Sequence, residues 1–526
     1  MNDVAALPRV TYSNIAEDFS GVHAHFGKVI ADVRGRQLDL ERPNHVGGRD
    51  STEGAAYDAP CPIDRRLSLG TFFAAAPRQV DSAVAAARAA QRGWRDLGWP
   101  RRVALARAAA DLLEARKFEA AAACLLEVGK SRMEALGEVE EAIDLIRFYA
   151  GEMEANDGFR RDLARANPRE ETFDVLRPYG VFAVIAPFNF PVALSLGMSI
   201  CALLAGNTVV FKPSPMAGLT GRLLTDCLVE AGLPAGVFNL ICGGAETGAA
   251  LAAHSGIDGI AFTGSHAVGM RMLREFGCGG RHARPVLAEM GGKNPTYVAA
   301  SADLDTAVSG VLRSAFGLQG QKCSAGSVVF LHETLADPFL DRLAAAADAL
   351  VVGDPCERES FMGPLISEAA LERFETSRMQ AKSAGGTVHG GERLTGGLYD
   401  HGAYVRPAIV TGLPDDHALH RDELFMPFLT VRTFSDLGNA IARGNAVPYG
   451  LTAGVYTGEP AELEEFLETA EAGVLYANRA SGATTGAWPG IQTFCGWKGS
   501  GTGSKGGLGT WYLPQFMREQ SHTIMR

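Results

Sequence analysis

The spacing of hydrophobic residues predicts helices in the first third of the chain. Between Val80 and Glu152 apolar residues recur every three to four positions in alanine-rich sequence, which is the period of amphipathic helices. Pro100 directly follows Trp99, and proline is typical of a first helical turn because the amide hydrogen it lacks has no partner there. We therefore predict helices throughout this part of the chain.

After Gly180 the apolar positions form short runs bounded by glycine and proline. Such runs, separated by helical stretches, are typical of a parallel sheet covered by helices. The first group of predicted strands is 181–186, 208–211, 237–242 and 257–262. The second group is 328–331, 404–410, 452–456 and 474–478, with helices at 303–316 and 335–351. Two α/β domains joined near residue 291 are the expected result.

Three segments lie outside these two domains. Residues 1–65, rich in Asp, Arg, Gly and Pro, predict an extended or partly ordered arm whose function the sequence does not indicate. Segments 173–176 and 515–524 alternate like strands. Because exposed strand edges are normally covered, we expect these two segments to pair with another subunit and the protein to be a homo-oligomer, whose order the sequence does not fix.

Composition favours a cytoplasmic enzyme. A chain of 526 residues with a net charge of −11 has no basic surface that would recommend nucleic acid or an anionic membrane as a partner. No apolar run approaches the roughly 18 residues of a membrane span, and the N-terminus lacks the pattern of a signal peptide. The nine cysteines are scattered without close pairs or metal-ligand spacing, which predicts a reducing compartment and no metal site.

Two glycine-bearing runs carry the most specific chemistry. Cys323 lies in Gly-Gln-Lys-Cys-Ser and Glu289 begins Glu-Met-Gly-Gly-Lys-Asn. A thiol nucleophile and a carboxylate base are the groups needed for covalent catalysis on a carbonyl. The competing interpretations are a small buried cysteine, which we assign to the other eight, and a solvated turn glutamate. Burial at a strand end would raise the pKa of Glu289 and make it a useful base.

Asn189 follows the first strand of the sheet between two phenylalanines and two prolines. A side-chain amide held so rigidly can donate a hydrogen bond to a developing oxyanion. The alternative is an ordinary turn asparagine.

Two later strand ends suit a dinucleotide. Lys212 and Ser214 follow one strand, and Gly264 and Ser265 follow another just before a helix. Lysine, serine and backbone donors at the carboxyl ends of parallel strands can bind ribose and phosphate groups. The glycine spacing is not the dinucleotide fingerprint, so ordinary strand-to-helix turns stay an alternative.

These runs together resemble the aldehyde dehydrogenase superfamily from about residue 65 to the end. Glu423-Leu-Phe425 and Asn445-x-x-x-Tyr-Gly-Leu continue the family's motif order. The resemblance implies an α/β fold with three parts. They are a Rossmann-type cofactor domain (66–157 and 183–291), an α/β catalytic domain (292–496) and a small β oligomerisation element (158–182 and 497–526).

The resemblance also implies a sequence of roles for the catalytic residues. Cys323 would attack the aldehyde, while Asn189 and the Cys323 amide hold the oxyanion. Hydride would pass to the nicotinamide, and Glu289 would activate the water that releases the acid.

On the cofactor side, the resemblance implies that Lys212 and Glu423 bind the two riboses, Ser265 a phosphate, and that Phe425 packs at the nicotinamide end. Pro215 stands where NAD-preferring members often carry a glutamate. Its absence removes a repulsion against a 2′-phosphate, so both NAD and NADP remain open.

The C-terminal half is most similar to the glutamate-semialdehyde (1-pyrroline-5-carboxylate) dehydrogenases. By that similarity Gly486, Ala487 and Ser324 would bind the α-carboxylate of the substrate, and Phe494 would pack on its aliphatic stem. Backbone amides converge in such a loop because glycine adds no side chain. Thr493, Cys495 and a longer segment 479–484 depart from this group, and we expect them to line the aldehyde tunnel. Met426 departs from the wider superfamily, which usually has glycine after the phenylalanine, with a consequence that the sequence does not show.

Other functions compete with this one. A dehydrogenase for another carboxylated or aromatic aldehyde would share every catalytic motif. A CoA-acylating dehydrogenase would not need Glu289 as a water-activating base. A cofactor-binding homologue without turnover would not need Cys323, Glu289 and Asn189 together.

Overall fold

The computed structural model describes residues 7–15, 17–480 and 487–526. The α-helices of this part of the chain are α1 (Ser20–Arg36), α2 (Pro77–Asp96), α3 (Trp99–Ala115), α4 (Lys117–Val128), α5 (Arg132–Ala155), α6 (Ala193–Ala205), α7 (Gly218–Glu230), α8 (Ala245–Ala253), α9 (His266–Met272), α10 (Leu304–Phe316), α11 (Ala336–Asp348), α12 (Glu368–Ser383), α13 (Leu437–Asn445) and α14 (Pro460–Thr469). None of the helices in these ranges is long and apolar enough to cross a membrane.

The strands before residue 291 are β1 (Glu41–Arg42), β2 (Asn44–Val46), β3 (Arg49–Ser51), β4 (Ala55–Pro60), β5 (Ser68–Ala74), β6 (Arg160–Asp162), β7 (Glu170–Pro178), β8 (Val181–Ile185), β9 (Thr208–Lys212), β10 (Phe238–Leu240), β11 (Gly259–Gly264) and β12 (Val286–Met290). The remaining strands are β13 (Asn294–Val298), β14 (Gly326–His332), β15 (Thr387–Gly390), β16 (Ala408–Thr411), β17 (Phe428–Phe434), β18 (Tyr449–Gly450), β19 (Thr452–Tyr456), β20 (Val474–Ala477), β21 (Trp497–Lys498) and β22 (Met517–Met525).

The first large sheet brings four predicted site segments to one edge. Its order is β12-β11-β8-β9-β10-β2-β3, and β12 through β10 run parallel. In register, Ile185 lies opposite Lys212 and Thr263 lies opposite Glu289. The strand order reverses at β8, and a crevice opens at such a switch point outside the carboxyl ends of the strands.

The second large sheet has the order β15-β16-β17-β14-β13-β19-β20, and only β15 is antiparallel. The two predicted α/β alternations are therefore confirmed, with helices on both faces of each sheet.

Predicted strand 404–410 is shorter than expected, because the strand begins only at Ala408, directly after Pro407. Proline has no amide hydrogen to give to the ladder. Predicted helix 80–152 is four helices, with Pro100 in the first turn of α3.

The two strand-like segments outside the domains pair with each other, which corrects the expectation that each would pair with another subunit. β22 runs antiparallel to β7 from Met517 opposite Pro178 to Met525 opposite Glu170. β6 covers the other side of β7, so the order is β22-β7-β6. The ladder satisfies the backbone groups of both segments within one chain.

The N-terminal segment is more ordered than the predicted arm. Val22, Phe26, Ile30 and Val33 recur every three to four residues and are buried on one face of α1. Further along, β2 and β3 extend the first large sheet beyond β10. Residues 7–15, which lie before α1, form neither a helix nor a strand and contain a turn at 12–15; we call this segment the strap.

Candidate active site

Glu289 and Cys323 reach one cavity from different sheets. Glu289 lies in β12, and Cys323 lies in the turn between α10 and β14. Both side chains line a cavity of about 1050 Å³, a volume that includes its open mouth. One carboxylate oxygen of Glu289 accepts a hydrogen bond of 3.0 Å from the Gly507 amide. The fold therefore brings the predicted base and nucleophile together.

Asn294 ties the two motifs together. Its side-chain amide donates to the carbonyl oxygens of Cys323 at 2.8 Å and Ala325 at 2.9 Å. Its amide oxygen accepts from the Thr452 amide at 3.0 Å. The last residue of the glutamate motif thus fixes the backbone that carries the thiol.

The backbone before Cys323 has an unusual conformation. Leu318, Gln319 and Gly320 have φ values of 50°, 55° and 63°, in the left-handed region. Such consecutive conformations cost energy and persist only where the surroundings hold them. The Gln319 side-chain amide donates to the Gly129 carbonyl at 2.7 Å, and the Gln321 side chain accepts from the Ile366 amide at 3.0 Å. These bonds hold the turn in place.

Burial sets the resting protonation of both candidate catalytic groups. It raises the pKa of the Cys323 thiol to about 12, and the charges of Glu289 and Glu423 add to this increase. The backbone amides of Ser324 and Cys323 oppose it. Burial raises the pKa of Glu289 to about 7, against the opposing effect of the Gly507 amide. The resting thiol is protonated, while Glu289 can exchange a proton near neutral pH.

Asn189 lies in the loop after β8 and is almost fully buried. Its neighbour Phe190 lines the cavity, and its neighbour Phe188 packs edge-on against Phe425 with ring centroids 5.9 Å apart. The loop therefore lies between the thiol cavity and the predicted cofactor crevice.

Lys212 ends β9 and is buried. Its ammonium group donates to the carbonyl oxygens of Pro213 at 2.8 Å and Gly243 at 2.9 Å. Burial lowers its pKa to about 8. Ser214, two residues later, accepts a hydrogen bond of 3.3 Å from the Met216 amide. Two of the three ammonium protons are engaged, which leaves one for a ligand at the strand edge.

Glu423 approaches the same edge from the loop between β16 and β17. Its carboxylate accepts a hydrogen bond of 3.2 Å from the Gly292 amide, and burial raises its pKa to about 7. A Cβ atom on Gly291 would lie 1.7 Å from a carboxylate oxygen of Glu423. Only glycine therefore allows this approach.

The other predicted cofactor residues also lie at this crevice. Gly264 ends β11, and Ser265 is the residue directly before α9. Phe425 follows Glu423 by two residues and has a φ of 58°. The ends of the first large sheet thus contribute a cation, hydroxyls and backbone amides. The loop before β17 of the second large sheet contributes a carboxylate and an aromatic ring. This donor set fits the phosphates and riboses of a dinucleotide.

Three of the four predicted substrate residues line the cavity. They are Ser324, Ala487 and Phe494, whereas Gly486 lies outside the described residues. Thr493 and Cys495, which we expected at the tunnel, are not among the side chains that line it. The Cys495 thiol instead donates to the Gly473 carbonyl at 3.3 Å. Met426 is buried against the core near Phe428, so its role is in packing.

Sequence reasoning missed several charged groups at the cavity. They are Lys130, Glu134, Glu141 and Arg313, and Lys322 is there as well. The missed signal was in α5, where Glu138 and Glu141 are buried and Glu134, which is half-buried, lies on the same face. Carboxylates on a buried helix face are rare unless they have partners.

Glu138 shows what one of these carboxylates does. One oxygen accepts from the Val192 amide at 2.7 Å and the Ala193 amide at 3.2 Å, at the start of α6. The other forms a fully buried ion pair with Lys130. The Lys130 ammonium lies 3.7 Å from the centroid of the Phe190 ring. These contacts hold the loop that carries Asn189 against α5.

Comparison with known families agrees with this arrangement. A sequence profile described as "Aldehyde dehydrogenase family" matches residues 49–521. The 1-pyrroline-5-carboxylate dehydrogenase 1 of Halalkalibacterium halodurans is 34% identical over 495 residues, which are 93% of this chain and 94% of that protein. The 1-pyrroline-5-carboxylate dehydrogenase of Bacillus cytotoxicus is 34% identical over 493 residues, with the same coverage of 93% and 94%.

Solved structures give the same picture. A 1-pyrroline-5-carboxylate dehydrogenase from Thermus with bound NAD superposes with a TM-score of 0.91 at 33% identity, covering 96% of this chain and 97% of that one. Proline utilization A from Bdellovibrio bacteriovorus also has a TM-score of 0.91 at 33% identity. That protein is longer, since 97% of this chain matches only 52% of it.

Proposed function

The chain belongs to the aldehyde dehydrogenase family, and we propose that it oxidises L-glutamate γ-semialdehyde to L-glutamate with NAD or NADP. One observation carries the proposal. A thiol, a carboxylate with a pKa of about 7 and the Ser324–Ala487–Phe494 set line a single cavity beside a dinucleotide-type crevice. The similarity of almost the whole chain to 1-pyrroline-5-carboxylate dehydrogenases supports this choice of substrate.

The first step forms a bond between the Cys323 sulfur and the aldehyde carbon. The thiol proton must leave, because a thiol with a pKa of about 12 is neutral at rest. That proton passes through the open mouth of the cavity to solvent, so Glu289, which lines the same cavity, stays available as the base for the later hydrolysis. The carbonyl oxygen becomes an oxyanion, which the Asn189 amide and the Cys323 backbone amide stabilise.

The oxidation step transfers two electrons. A bound nicotinamide dinucleotide would supply the two-electron oxidant for the carbon on Cys323. Loss of a hydride from that carbon restores the carbonyl and leaves a thioester on the sulfur. The residues that would hold and orient the dinucleotide are Lys212, Ser214, Gly264, Ser265, Glu423 and Phe425.

Hydrolysis completes the cycle. Glu289 takes a proton from water, whose oxygen attacks the thioester carbon. The carbon–sulfur bond breaks, the carboxylic acid leaves and the Cys323 sulfur regains a proton. The raised pKa of Glu289 suits this role because a base is most effective when its pKa lies near the working pH.

Substrate recognition follows from the other end of the cavity. The Ser324 hydroxyl and the backbone amides of Gly486 and Ala487 bind the α-carboxylate. Phe494 packs on the methylene groups between that carboxylate and the aldehyde. Met198 and Leu145 complete an apolar wall suited to a short aliphatic chain.

The experiment is a panel of aldehydes assayed with both NAD and NADP. L-glutamate γ-semialdehyde should give the highest kcat/KM, ahead of 5-oxopentanoate, hexanal and benzaldehyde. A higher value for any of the other three would contradict the substrate assignment. Absence of reduced cofactor with every aldehyde would contradict the enzymatic function.

The domain division and the assembly are further parts of the proposal. We assign the cofactor domain to 66–157 and 183–291, the catalytic domain to 292–496 and the oligomerisation element to 158–182 and 497–526. The outer sides of β6 and β22 are the edges through which a homo-oligomer would form. Light scattering that finds an active monomer would contradict this assembly. The cytoplasmic location stays a prediction of the sequence.

A further inference from the structure

The strap, residues 7–15, is anchored along α5. The Arg9 guanidinium donates to Glu140 at 3.2 Å and to Asp144 at 2.9 Å. The Tyr12 hydroxyl donates to Glu141 at 2.8 Å. Three acceptors on one helix therefore fix the strap, although it lies 129 to 135 residues earlier in the chain.

Tyr12 contacts two aromatic residues that lie next to Asn189 and Ala487. Its ring packs edge-on against Phe190, next to Asn189, with centroids 6.5 Å apart. It also packs edge-on against Trp488, next to Ala487, at 5.6 Å. A Cβ atom on Gly137 would lie 3.2 Å from the Tyr12 ring, so the helix gives the ring room. Tyr12 and Ile15 both line the cavity, and the strap is thus one of its walls.

Glu141 has one carboxylate oxygen to spare. Its Oε2 accepts the Tyr12 hydrogen bond, and its Oε1 has no hydrogen-bond partner within residues 7–15, 17–480 and 487–526. The side chain lines the cavity. A carboxylate in such a place is stabilised by a cation that brings its own hydrogen-bond donors.

The protonation of Glu141 depends on Tyr12. Burial raises the pKa of Glu141 to about 8, and the Tyr12 hydrogen bond is the largest effect that lowers it. Glu138 on the same helix and Glu289 on β12 raise this pKa, whereas Lys130 lowers it. Loss of the Tyr12 hydroxyl would therefore make Glu141 more often neutral at physiological pH.

We propose that Tyr12 is a positioning residue which holds the Glu141 carboxylate at the cavity wall, so that the cavity selects aldehydes bearing an ammonium group. The inference rests on the proposed function, since L-glutamate γ-semialdehyde carries an ammonium group beside its carboxylate. Ser324 and Ala487 would take the carboxylate, and Glu141 would take the ammonium group. The strap thereby becomes part of the specificity of the enzyme.

Tyr12→Phe tests this inference because it removes one oxygen and keeps the ring. The substrates are L-glutamate γ-semialdehyde and 5-oxopentanoate, which differ only by the amino group. The ratio of their kcat/KM values should fall about tenfold, mainly through the KM of the amino-bearing substrate. The acid limb of its kcat/KM profile should also move to higher pH, since Glu141 becomes harder to deprotonate.

Tyr399→Phe is the matched control. Its hydroxyl donates to the Val352 carbonyl at 3.0 Å, away from the cavity, so both the ratio and the pH profile should stay unchanged. If a folded Tyr12→Phe enzyme keeps the ratio and the acid limb, the inference is wrong. An equal loss for both substrates would also overturn it, because that result indicates only a packing role.

Two further measurements keep the test decisive. If Tyr12→Phe fails to fold, Glu141→Gln removes the charge and should abolish the preference for the amino-bearing substrate. A preserved preference would overturn the inference.

The binding of L-glutamate and glutarate, measured by calorimetry, needs no turnover. Wild-type protein should prefer L-glutamate and Tyr12→Phe should lose that preference, even if the proposed oxidation failed in the aldehyde panel. Equal binding of both ligands by the wild type would overturn the role of Tyr12.

Discussion

The side chain of Asn294 donates a 2.8 Å hydrogen bond to the backbone carbonyl of Cys323. Asn294 begins β13, five residues after Glu289, while Cys323 lies in the turn before β14. The two strands are parallel neighbours, so the bond spans the start of the second large sheet. The base and the nucleophile are therefore positioned by one short and rigid connection.

We expect Asn294→Ala to lower kcat and stability together. The variant leaves the carbonyl groups of Cys323 and Ala325 and the amide of Thr452 without their partner. Each buried polar group left without a hydrogen bond lowers the stability by about 1–3 kcal/mol. A displacement of the nucleophile by about 1 Å lowers the rate roughly 10²-fold. Urea unfolding and steady-state kinetics measure the two effects.

Asn207→Ala separates these effects. Asn207 is also fully buried and also makes three side-chain bonds to backbone, with Gly180, Ala202 and Phe516. It should lose similar stability and keep kcat within about twofold of wild type. A similar loss of kcat in both variants would contradict the positioning role of Asn294.

We expect the rate of hydrolysis to rise with pH through about 7, because Glu289 acts only as the carboxylate. Glu289→Gln should lower kcat by about 10²–10⁴-fold and remove this pH dependence. Rapid mixing should show a burst of about one reduced cofactor per active site, since the thioester still forms and its hydrolysis is slow. A variant without a burst would show that Glu289 is needed before the thioester.

The same pKa predicts the effect of Glu289 on stability. Because folding raises its pKa from 4.5 to about 7, the folded state favours the protonated form. Its contribution is fully present below about pH 4.5 and is lost as the pH rises through about 7. Glu289→Gln should therefore be more stable than wild type at pH 8 and similar to it at pH 4.5. Thermal unfolding at both pH values measures this, and an equal difference in Tm at both would contradict it.

We expect Pro215→Glu to change the cofactor preference. A carboxylate three residues after Lys212 would repel the 2′-phosphate of NADP and could bind ribose hydroxyls of NAD. The ratio of kcat/KM for NADP over NAD should fall at least about tenfold, which corresponds to about 1.4 kcal/mol. Pro215→Gln, which adds similar bulk without charge, should change the ratio much less. An equal shift in both variants would exclude charge as the cause.

Gly320→Ala should be strongly destabilising. Gly320 has a φ of 63°, and a Cβ atom there would lie 2.3 Å from the Met426 carbonyl oxygen. Gly385→Ala is a matched control, since Gly385 has a φ of 85° and nothing within 4 Å of the added atom. The control should lose about 1–2 kcal/mol from conformation alone, and Gly320→Ala should lose more and also lose activity. Chemical denaturation of both variants measures the difference.

Local patterns were enough to predict most of the elements and to point to the candidate site residues. The run 181–186 is a buried strand, because its continuous apolar side chains are removed from water only when both faces of the sheet are covered. Glu289, Cys323, Lys212 and Gly264 were predicted from short motifs, and each one lies at a strand end or in a turn beside one crevice. Such positions depend on residues close in sequence, and the pattern of the chain determines them.

Contacts between distant segments were decided only by the tertiary structure. The pairing of β22 with β7 depends on where the C-terminus returns, and the alternation of either segment alone fits any partner strand. Tyr12 and Glu141 are 129 residues apart, and neither carries a motif that predicts their hydrogen bond. The sequence by itself determined the motifs and their local positions, whereas the packing of the strap on α5 decided which further groups line the cavity, because such packing sums many weak contacts that no local pattern encodes.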